Sequence, residues 1–333
     1  MAVPLPAAAG TRNSPRLPKI NCHPSPPSLP GSISAAANRV VAFTTPQNYA
    51  PRLSHLLRLH GWQPLWCPTV LVQTTPHTEA SIRLHLSYPS GDQATPPLDR
   101  FAAIAFTSRS GISAFSEALA TLDNPPLAPA GEAFTIAALG KDAELLDEAL
   151  VGGLCHNSDR IKVLIPPIST PAGLAESLGA GLGRSVLCPV PLVVGLEEPP
   201  VVPDFLRELT GKGWIPVRAE AYETRWAGAE SAEPIVRRSE YGGGLNAVVF
   251  SSTGEVEGLL KSLKEKGLDW ETVKRRCPEL VVAAHGPVTA AGAERLGVGV
   301  DVVSRRFDSF AGVVEALALR WESESESKSP PGG

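Results

Sequence analysis

Short apolar runs alternate with stretches of helical periodicity along most of the chain. The runs predict strands at residues 39–45, 64–72, 101–107, 134–139, 162–165, 185–188, 246–250, 280–284 and 300–303. Between them, apolar residues return at helical spacing, as in residues 49–60 and 111–122. Apolar strands that alternate with helices indicate parallel sheets covered by helices on both faces. The predicted fold class is therefore α/β.

Four short motifs of the first half recur in the second half, in the same order and at similar spacing. The pairs are residues 61–65 and 213–217, 106–108 and 250–252, 137–140 and 283–286, and 172–176 and 311–315. Ordered self-similarity of this kind indicates a duplicated α/β unit. We expect two similar parallel-sheet lobes that face each other across a cleft, with ligands bound near the carboxyl ends of the strands.

Hydroxyl-bearing residues and glycines follow several predicted strands, at the turns into helices. These turns are Thr44-Thr45, Thr107-Ser108, Ser251-Ser252-Thr253 and Gly286-Pro287-Val288-Thr289. Such residues cap the first helical turn and leave backbone N–H groups available to an anion. One turn of this kind is ordinary capping, but its repetition in both lobes favours a cleft for a polyanionic ligand.

Charge divides the 333-residue chain into a basic leader and an acidic remainder, although the net charge is only −4. Six basic residues precede the first acidic residue, Glu79. Residues 1–37 are rich in Ala, Pro and Ser and lack the apolar core of a secretory signal, so we expect a transit peptide. Its address is a plastid, with the mitochondrion as the alternative; a disordered leader without an address also fits. Residues 322–333 predict a disordered tail.

Several functions are excluded by what the sequence lacks. No run of eighteen apolar residues exists, which excludes a membrane helix, and the acidic balance argues against nucleic-acid binding. The five cysteines form no C-x-x-C pair, and the histidines show no metal-binding spacing. No Walker loop or G-x-S-x-G motif is present.

Tyr222 is the side chain that suggests chemistry most directly. It lies in residues 219–226 (AEAYETRW), in a segment that we expect to cross between the lobes. A phenol at such a crossing would face the cleft. The alternative is a packing residue whose hydroxyl is satisfied inside the protein.

An ordered series of motifs resembles the uroporphyrinogen-III synthase family in its plant-type form. The motifs are residues 40–46 (VVAFTTP), 59–68 (LHGWQPLWCP), 106–110 (FTSRS), 219–224 (AEAYET), 250–254 (FSSTG) and 284–290 (AHGPVTA). The resemblance implies two lobes joined by a two-stranded connector. Residues 38–72 and 223–321 would form lobe 1, residues 76–217 would form lobe 2, and the connector strands would lie at 70–75 and 218–225.

The resemblance also implies a reaction, the cyclisation of hydroxymethylbilane to uroporphyrinogen III with inversion of ring D. This step belongs to chlorophyll and haem biosynthesis and needs neither cofactor nor metal, and the protein would act as a monomer. Tyr222 would assist departure of the substrate hydroxyl. The implied substrate-binding residues are Thr45, Ser108, Ser110, Gly140, Lys141, Ser251, Ser252, Gly286 and Thr289.

The chain also departs from the family motifs. Ala143 stands where the family has threonine, Arg109 and Thr253 replace prolines, and residues 188–203 are long, acidic and rich in proline. Two alternatives therefore stay open. One is a non-catalytic bilobal relative that binds a tetrapyrrole or another anion. The other is a regulatory interaction protein that docks through residues 188–203.

Overall fold

The computed structural model describes residues 38–88, 95–240, 244–306 and 309–327, with side chains up to residue 324. The predicted leader, residues 1–37, lies outside this part of the chain, as does the end of the predicted tail. The strands of the described residues are β1 Val40–Phe43, β2 Gln63–Trp66, β3 Val70–Gln73, β4 Ala103–Phe106, β5 Phe134–Ala138, β6 Ile161–Leu164, β7 Ser185–Val194, β8 Ile215–Trp226, β9 Leu245–Phe250, β10 Val281–Ala284 and β11 Val302–Val303.

The α-helices of the same residues alternate with these strands along the chain. They are α1 Ala50–Leu59, α2 Pro76–Leu86, α3 Arg109–Leu119, α4 Glu148–Leu154, α5 Pro171–Leu178, α6 Val201–Gly211, α7 Glu233–Glu240, α8 Thr253–Glu265, α9 Trp270–Arg276, α10 Pro287–Arg295 and α11 Ala311–Ser327. The predicted α/β class is confirmed by this alternation.

The described strands form two sheets, each the centre of one lobe. The sheet of the first lobe has the order β11-β10-β9-β1-β2, and all its strand pairs are parallel. The sheet of the second lobe has the order β3-β8-β7-β4-β5-β6 and is parallel except for the β3–β8 pair. How the lobe boundaries divide the chain, including the two-stranded connector, stays a prediction.

Each sheet is buried on both faces, as apolar parallel strands require. In β1, Val41 and Phe43 pack into a cluster with Trp62 and Trp321, while Val40 and Ala42 pack into another cluster on the opposite face. This division follows from the alternation of side chains along a strand. The second sheet likewise separates two buried clusters.

The repeated Gly-Trp motif has the same structural role in both lobes. Gly61 and Gly213 have φ values of +74° and +79° and follow α1 and α6. A positive φ suits glycine because it has no Cβ, and it reverses the chain at the helix end. The next residues, Trp62 and Trp214, are buried against the sheets. The recurrence seen in the sequence therefore marks equivalent helix-to-strand turns.

The strand predicted at residues 64–72 is wrong as a single strand. Residues 63–66 form β2 in the first sheet, whereas residues 70–73 form β3 in the second. The Cys67 N–H still donates to Phe43 O at 2.9 Å, but Pro68 has no N–H with which to continue the ladder. The chain leaves the first sheet at this proline.

The strand predicted at residues 185–188 is too short. β7 continues to Val194, pairs with β8 along its whole length and shifts register between Val190 and Pro191. On its other side it pairs with β4 only at Val186 and Leu187. Prolines are tolerated beyond that point because one edge of the strand is unpaired. The first part of the proline-rich segment is therefore sheet.

Helix α11 extends beyond the boundary predicted at residue 321. Its backbone is helical to Ser327, so the first part of the predicted tail is a continuation of this helix. Arg320 and Glu324 form an i,i+4 ion pair at 3.0 Å, an arrangement that favours helix at an exposed end. The remaining tail residues, 328–333, lie outside the described part of the chain.

Candidate active site

A cleft between the lobes consists of two adjoining cavities in the described part of the chain. One has a volume of about 710 Å³ and carries most of the charged lining, and the other has a volume of about 430 Å³ and is mostly apolar. Both are lined by Tyr49, Val72, Ser110, Tyr222, His285 and Phe310. Because these residues are shared, the two cavities form one continuous site with a polar end and an apolar end.

The cleft lies where helices begin at the carboxyl ends of strands. Helices α1, α3, α8 and α10 follow β1, β4, β9 and β10, respectively. Ser108 caps α3 by accepting the Gly111 N–H at 3.2 Å, and Ser252 caps α8 by accepting the Glu255 N–H at 3.4 Å. Capping is confirmed at these two turns, whereas the N-cap of α1 is Tyr49 and not Thr44 or Thr45, and the N-cap of α10, Gly286, has no side-chain hydrogen bond. The N-termini of α1 and α3 line the cleft, and helix ends of this kind favour anions.

Tyr222 lies in β8 and lines both cavities, with only 8% of its surface exposed. Its hydroxyl lies 2.8 Å from Ser108 Oγ. Burial raises the pKa of Tyr222 to about 12, although the hydrogen bond to Ser108 opposes that shift. The phenol is therefore protonated at neutral pH and remains a potential proton donor.

The first lobe contributes an aromatic wall that faces this phenol. Tyr49 packs edge-on against Phe310 with ring centroids 6.0 Å apart, and the Phe310 centroid lies 5.0 Å from that of His285. Burial raises the pKa of Tyr49 as well. Sequence reasoning missed Tyr49 and Phe310. The sequence did contain a signal for Tyr49, because this residue stands directly before the helix that follows β1, where ligands bind in parallel sheets.

Five of the residues implied as substrate-binding line the cleft: Ser108, Ser110, Lys141, Ser251 and Ser252. Four do not: Thr45, Gly140, Gly286 and Thr289. Thr45 is buried, and its Oγ1 has no hydrogen-bond partner among the described residues. Gly140 opens a short 310 helix, and Gly286 is the N-cap residue of α10. Thr289 Oγ1 donates to Ser251 O at 3.1 Å, which ties α10 to the β9 turn.

Glu255 is a buried carboxyl group that the sequence did not single out. It accepts hydrogen bonds from the Ser251 N–H and from Thr44 Oγ1, both at 2.8 Å, and another from Ser251 Oγ. Burial raises its pKa, and the donated hydrogen bonds oppose that shift. It lines the apolar cavity, and its hydrogen bonds are to the protein, so it organises the turn between β9 and α8 at the wall of the cleft.

The described residues contain no group of three or more His, Cys, Asp or Glu side chains arranged to hold a metal ion. Over the same ranges, no helix combines the length and the apolar character needed to cross a membrane.

Comparison with known proteins gives a family and a fold. Residues 51–313 match the family model described as uroporphyrinogen-III synthase HemD. A mutant uroporphyrinogen III synthase from Thermus thermophilus is 18% identical over 87% of this chain and 100% of that chain, with a TM-score of 0.52. The wild-type enzyme of the same organism is 18% identical over 86% of this chain and 99% of its own, with a TM-score of 0.42. No curated protein sequence gives a significant match.

Proposed function

The chain belongs to the uroporphyrinogen-III synthase family, and from this premise we propose that it converts hydroxymethylbilane into uroporphyrinogen III in tetrapyrrole biosynthesis. The observation that carries the proposal is the buried phenol of Tyr222, held by Ser108 at 2.8 Å in a cleft lined by both lobes. The family match supports the reaction, and the Thermus structure supports the fold.

The reaction begins when the terminal hydroxyl of the linear substrate leaves as water. The remaining azafulvene is electrophilic and is attacked by the substituted carbon of ring D. The resulting spiro intermediate fragments and recloses with ring D inverted. Hydroxide is a poor leaving group, so the first step needs a proton or a strong hydrogen bond from the enzyme.

In this proposal, Tyr222 supplies that proton. Either hydroxyl can donate in the bond between Ser108 and Tyr222, and this role requires Ser108 to donate, which it can do while its Oγ accepts the Gly111 N–H. The phenol hydrogen is then free to bind the substrate hydroxyl. The high pKa of Tyr222 keeps this hydrogen in place until the leaving group takes it.

The shape of the cleft suits control of the product isomer. The linear chain can also close without inversion, which gives the type I isomer, so the enzyme must favour one conformation by positioning. The apolar cavity can accept pyrrole rings, and the polar cavity with its helix N-termini can accept acetate and propionate side chains.

The deciding experiment is incubation of the purified chain with enzymatically generated hydroxymethylbilane, followed by isomer analysis. We expect mainly the type III isomer. Type I product alone, at the spontaneous rate, would overturn the proposal. Tight tetrapyrrole binding combined with that result would identify a non-catalytic binding relative instead.

We further propose that the protein acts as a monomer in a plastid. The acid-free composition of residues 1–37 favours plastid import. Sedimentation of the purified chain tests the first point. A fluorescent reporter fused behind residues 1–37 tests the second, and mitochondrial or diffuse fluorescence would contradict it.

A further inference from the structure

Three cationic side chains line the polar cavity of this acidic protein. Arg52 comes from α1 of the first lobe, and Arg109 and Lys141 come from the second lobe. Among the described residues, neither Arg52 nor Lys141 has an ion pair or a side-chain hydrogen bond. Cations from both lobes that lack internal partners are available to a ligand between the lobes.

Arg109 has an ion pair, but a weak one. Its Nη1 lies 3.9 Å from Asp142 Oδ1, which is too long for a direct hydrogen bond. By contrast, the buried structural pair of Arg160 and Asp99 has an N–O distance of 2.7 Å. The guanidinium of Arg109 therefore keeps most of its donors free, and it is partly exposed to the cavity.

The position of Arg109 is unfavourable for a purely structural arginine. It is the first residue of α3, where the helix dipole already places positive charge, so a cation there lowers helix stability. A guanidinium beside a helix N-terminus adds its charge to the attraction of the helix dipole for an anion.

Asp142 lies beside this guanidinium, where the carboxylate of a ligand would bind. It lies in the short 310 helix after β5 and lines the same cavity. Burial raises its pKa, and Arg109 opposes that shift. Its carboxyl group accepts a hydrogen bond from the Arg109 backbone N–H but makes only a long contact with the guanidinium. For the guanidinium it is therefore a weak competitor against a ligand carboxylate that can bind with two hydrogen bonds.

We propose that Arg109, assisted by Arg52 and Lys141, binds a carboxylate of the substrate, and that this carboxylate displaces Asp142 from the guanidinium. The inference rests on the proposed function for the identity of the substrate. It assigns the acetate and propionate side chains to the polar cavity and leaves the apolar cavity to the pyrrole rings.

Opposite effects of two substitutions test this inference. Arg109→Ala should raise the KM for hydroxymethylbilane about tenfold, because one charge-assisted contact is lost. Asp142→Asn should lower the same KM about twofold, because the internal competitor loses its charge. Arg109→Lys should recover part of the loss. Arg58→Ala is the matched control, since Arg58 is an exposed cation of α1 outside the cavity and should leave the KM unchanged.

A binding measurement separates this inference from the proposed function. Uroporphyrin, the oxidised macrocycle, carries a full set of acetates and propionates, whereas coproporphyrin has lost its acetates. We expect Arg109→Ala to weaken uroporphyrin binding about tenfold in fluorescence titration, and to weaken coproporphyrin binding less. An unchanged Kd for uroporphyrin in a folded Arg109→Ala variant would overturn the inference, as would an Asp142→Asn variant that binds more weakly. Because titration needs no turnover, these results stand even if the chain forms only type I product.

Discussion

The two turns that carry the repeated Phe-Thr-Ser and Phe-Ser-Ser motifs have the same backbone and different partners. Ser108 and Ser252 have φ and ψ values of −155° and 152° and of −148° and 159°, respectively, and each caps the helix that follows. Ser108 also contacts the Tyr222 hydroxyl, whereas the turn at Ser252 is hydrogen-bonded to the buried carboxyl group of Glu255. One motif therefore contacts the Tyr222 phenol in the second lobe and belongs to an internal network in the first.

The difference originates at the third residue of each helix. In α3 this residue is Gly111, where an added Cβ would lie 3.1 Å from Pro189 O. In α8 it is Glu255, whose carboxyl group accepts hydrogen bonds from Ser251 and Thr44. Gly111 has no side chain that could cover Ser108, so Ser108 stays accessible to Tyr222. Glu255 instead accepts the hydrogen bonds that Ser251 and Thr44 donate. The two turns therefore differ in the third helical residue and in the partner that each cap serine or its neighbour contacts.

The largest expected effect is on turnover and belongs to Tyr222. Tyr222→Phe should lower kcat about a hundredfold or more, because the proton donor for the leaving hydroxyl is lost. Tyr49→Phe is the matched control on the first lobe, since it also removes a phenol of the cleft but keeps the packing against Phe310. Its kcat should fall by less than about fivefold. Equal losses of kcat in the two variants would show that Tyr222 is not the proton donor.

The next largest effect is on stability and belongs to Glu255. Glu255→Ala should lower the free energy of unfolding by about 3 kcal/mol, because buried donors of Ser251 and Thr44 lose their acceptor and a cavity forms. Denaturant unfolding measures the change. Glu265→Ala, at an exposed position of the same helix, should change it by less than about 0.5 kcal/mol. Similar values for both would show that the internal network contributes little.

The sequence predicted the features that depend on local signals. Apolar runs indicated the strands, the serines before α3 and α8 indicated helix starts, and the recurrence of short motifs indicated two lobes. These signals operate within a few residues. The expected position of Tyr222 near the cleft rested instead on the prediction that its segment crosses between the lobes.

Features that depend on distant contacts were not predictable in the same way. In the sequence, nothing distinguishes Glu255 from a solvent-exposed helical residue. Its partner Thr44 is 211 positions away, and the pairing of β1 with β9 brings the two together. The division of residues 64–72 between two sheets likewise depends on which partner strands are adjacent. Arg109 meets Asp142 because β4 and β5 are neighbours.

Glu255 should also give the first lobe a characteristic pH dependence. Burial raises its pKa above the ordinary value of 4.5, so the folded state holds a proton that the unfolded state has released. Its contribution to stability is complete below pH 4.5 and is lost as the pH rises through the raised pKa. The slope reaches at most about 1.4 kcal/mol per pH unit. Glu255→Gln should remove this component, and identical pH profiles for both proteins would contradict the assignment.

The smallest difference is expected between the two cap serines, and it tests the comparison most closely. Ser108→Ala and Ser252→Ala each remove one N-cap hydrogen bond, so each should lower the free energy of unfolding by about 1 kcal/mol. Only Ser108 contacts Tyr222, so Ser108→Ala should also lower kcat about fivefold, the value of one hydrogen bond. Ser252→Ala should lower kcat less, and any effect on binding should appear in the KM. Equal kcat losses at equal stability would mean that both turns support the reaction alike, and that the exchange of Gly111 for Glu255 has no catalytic consequence.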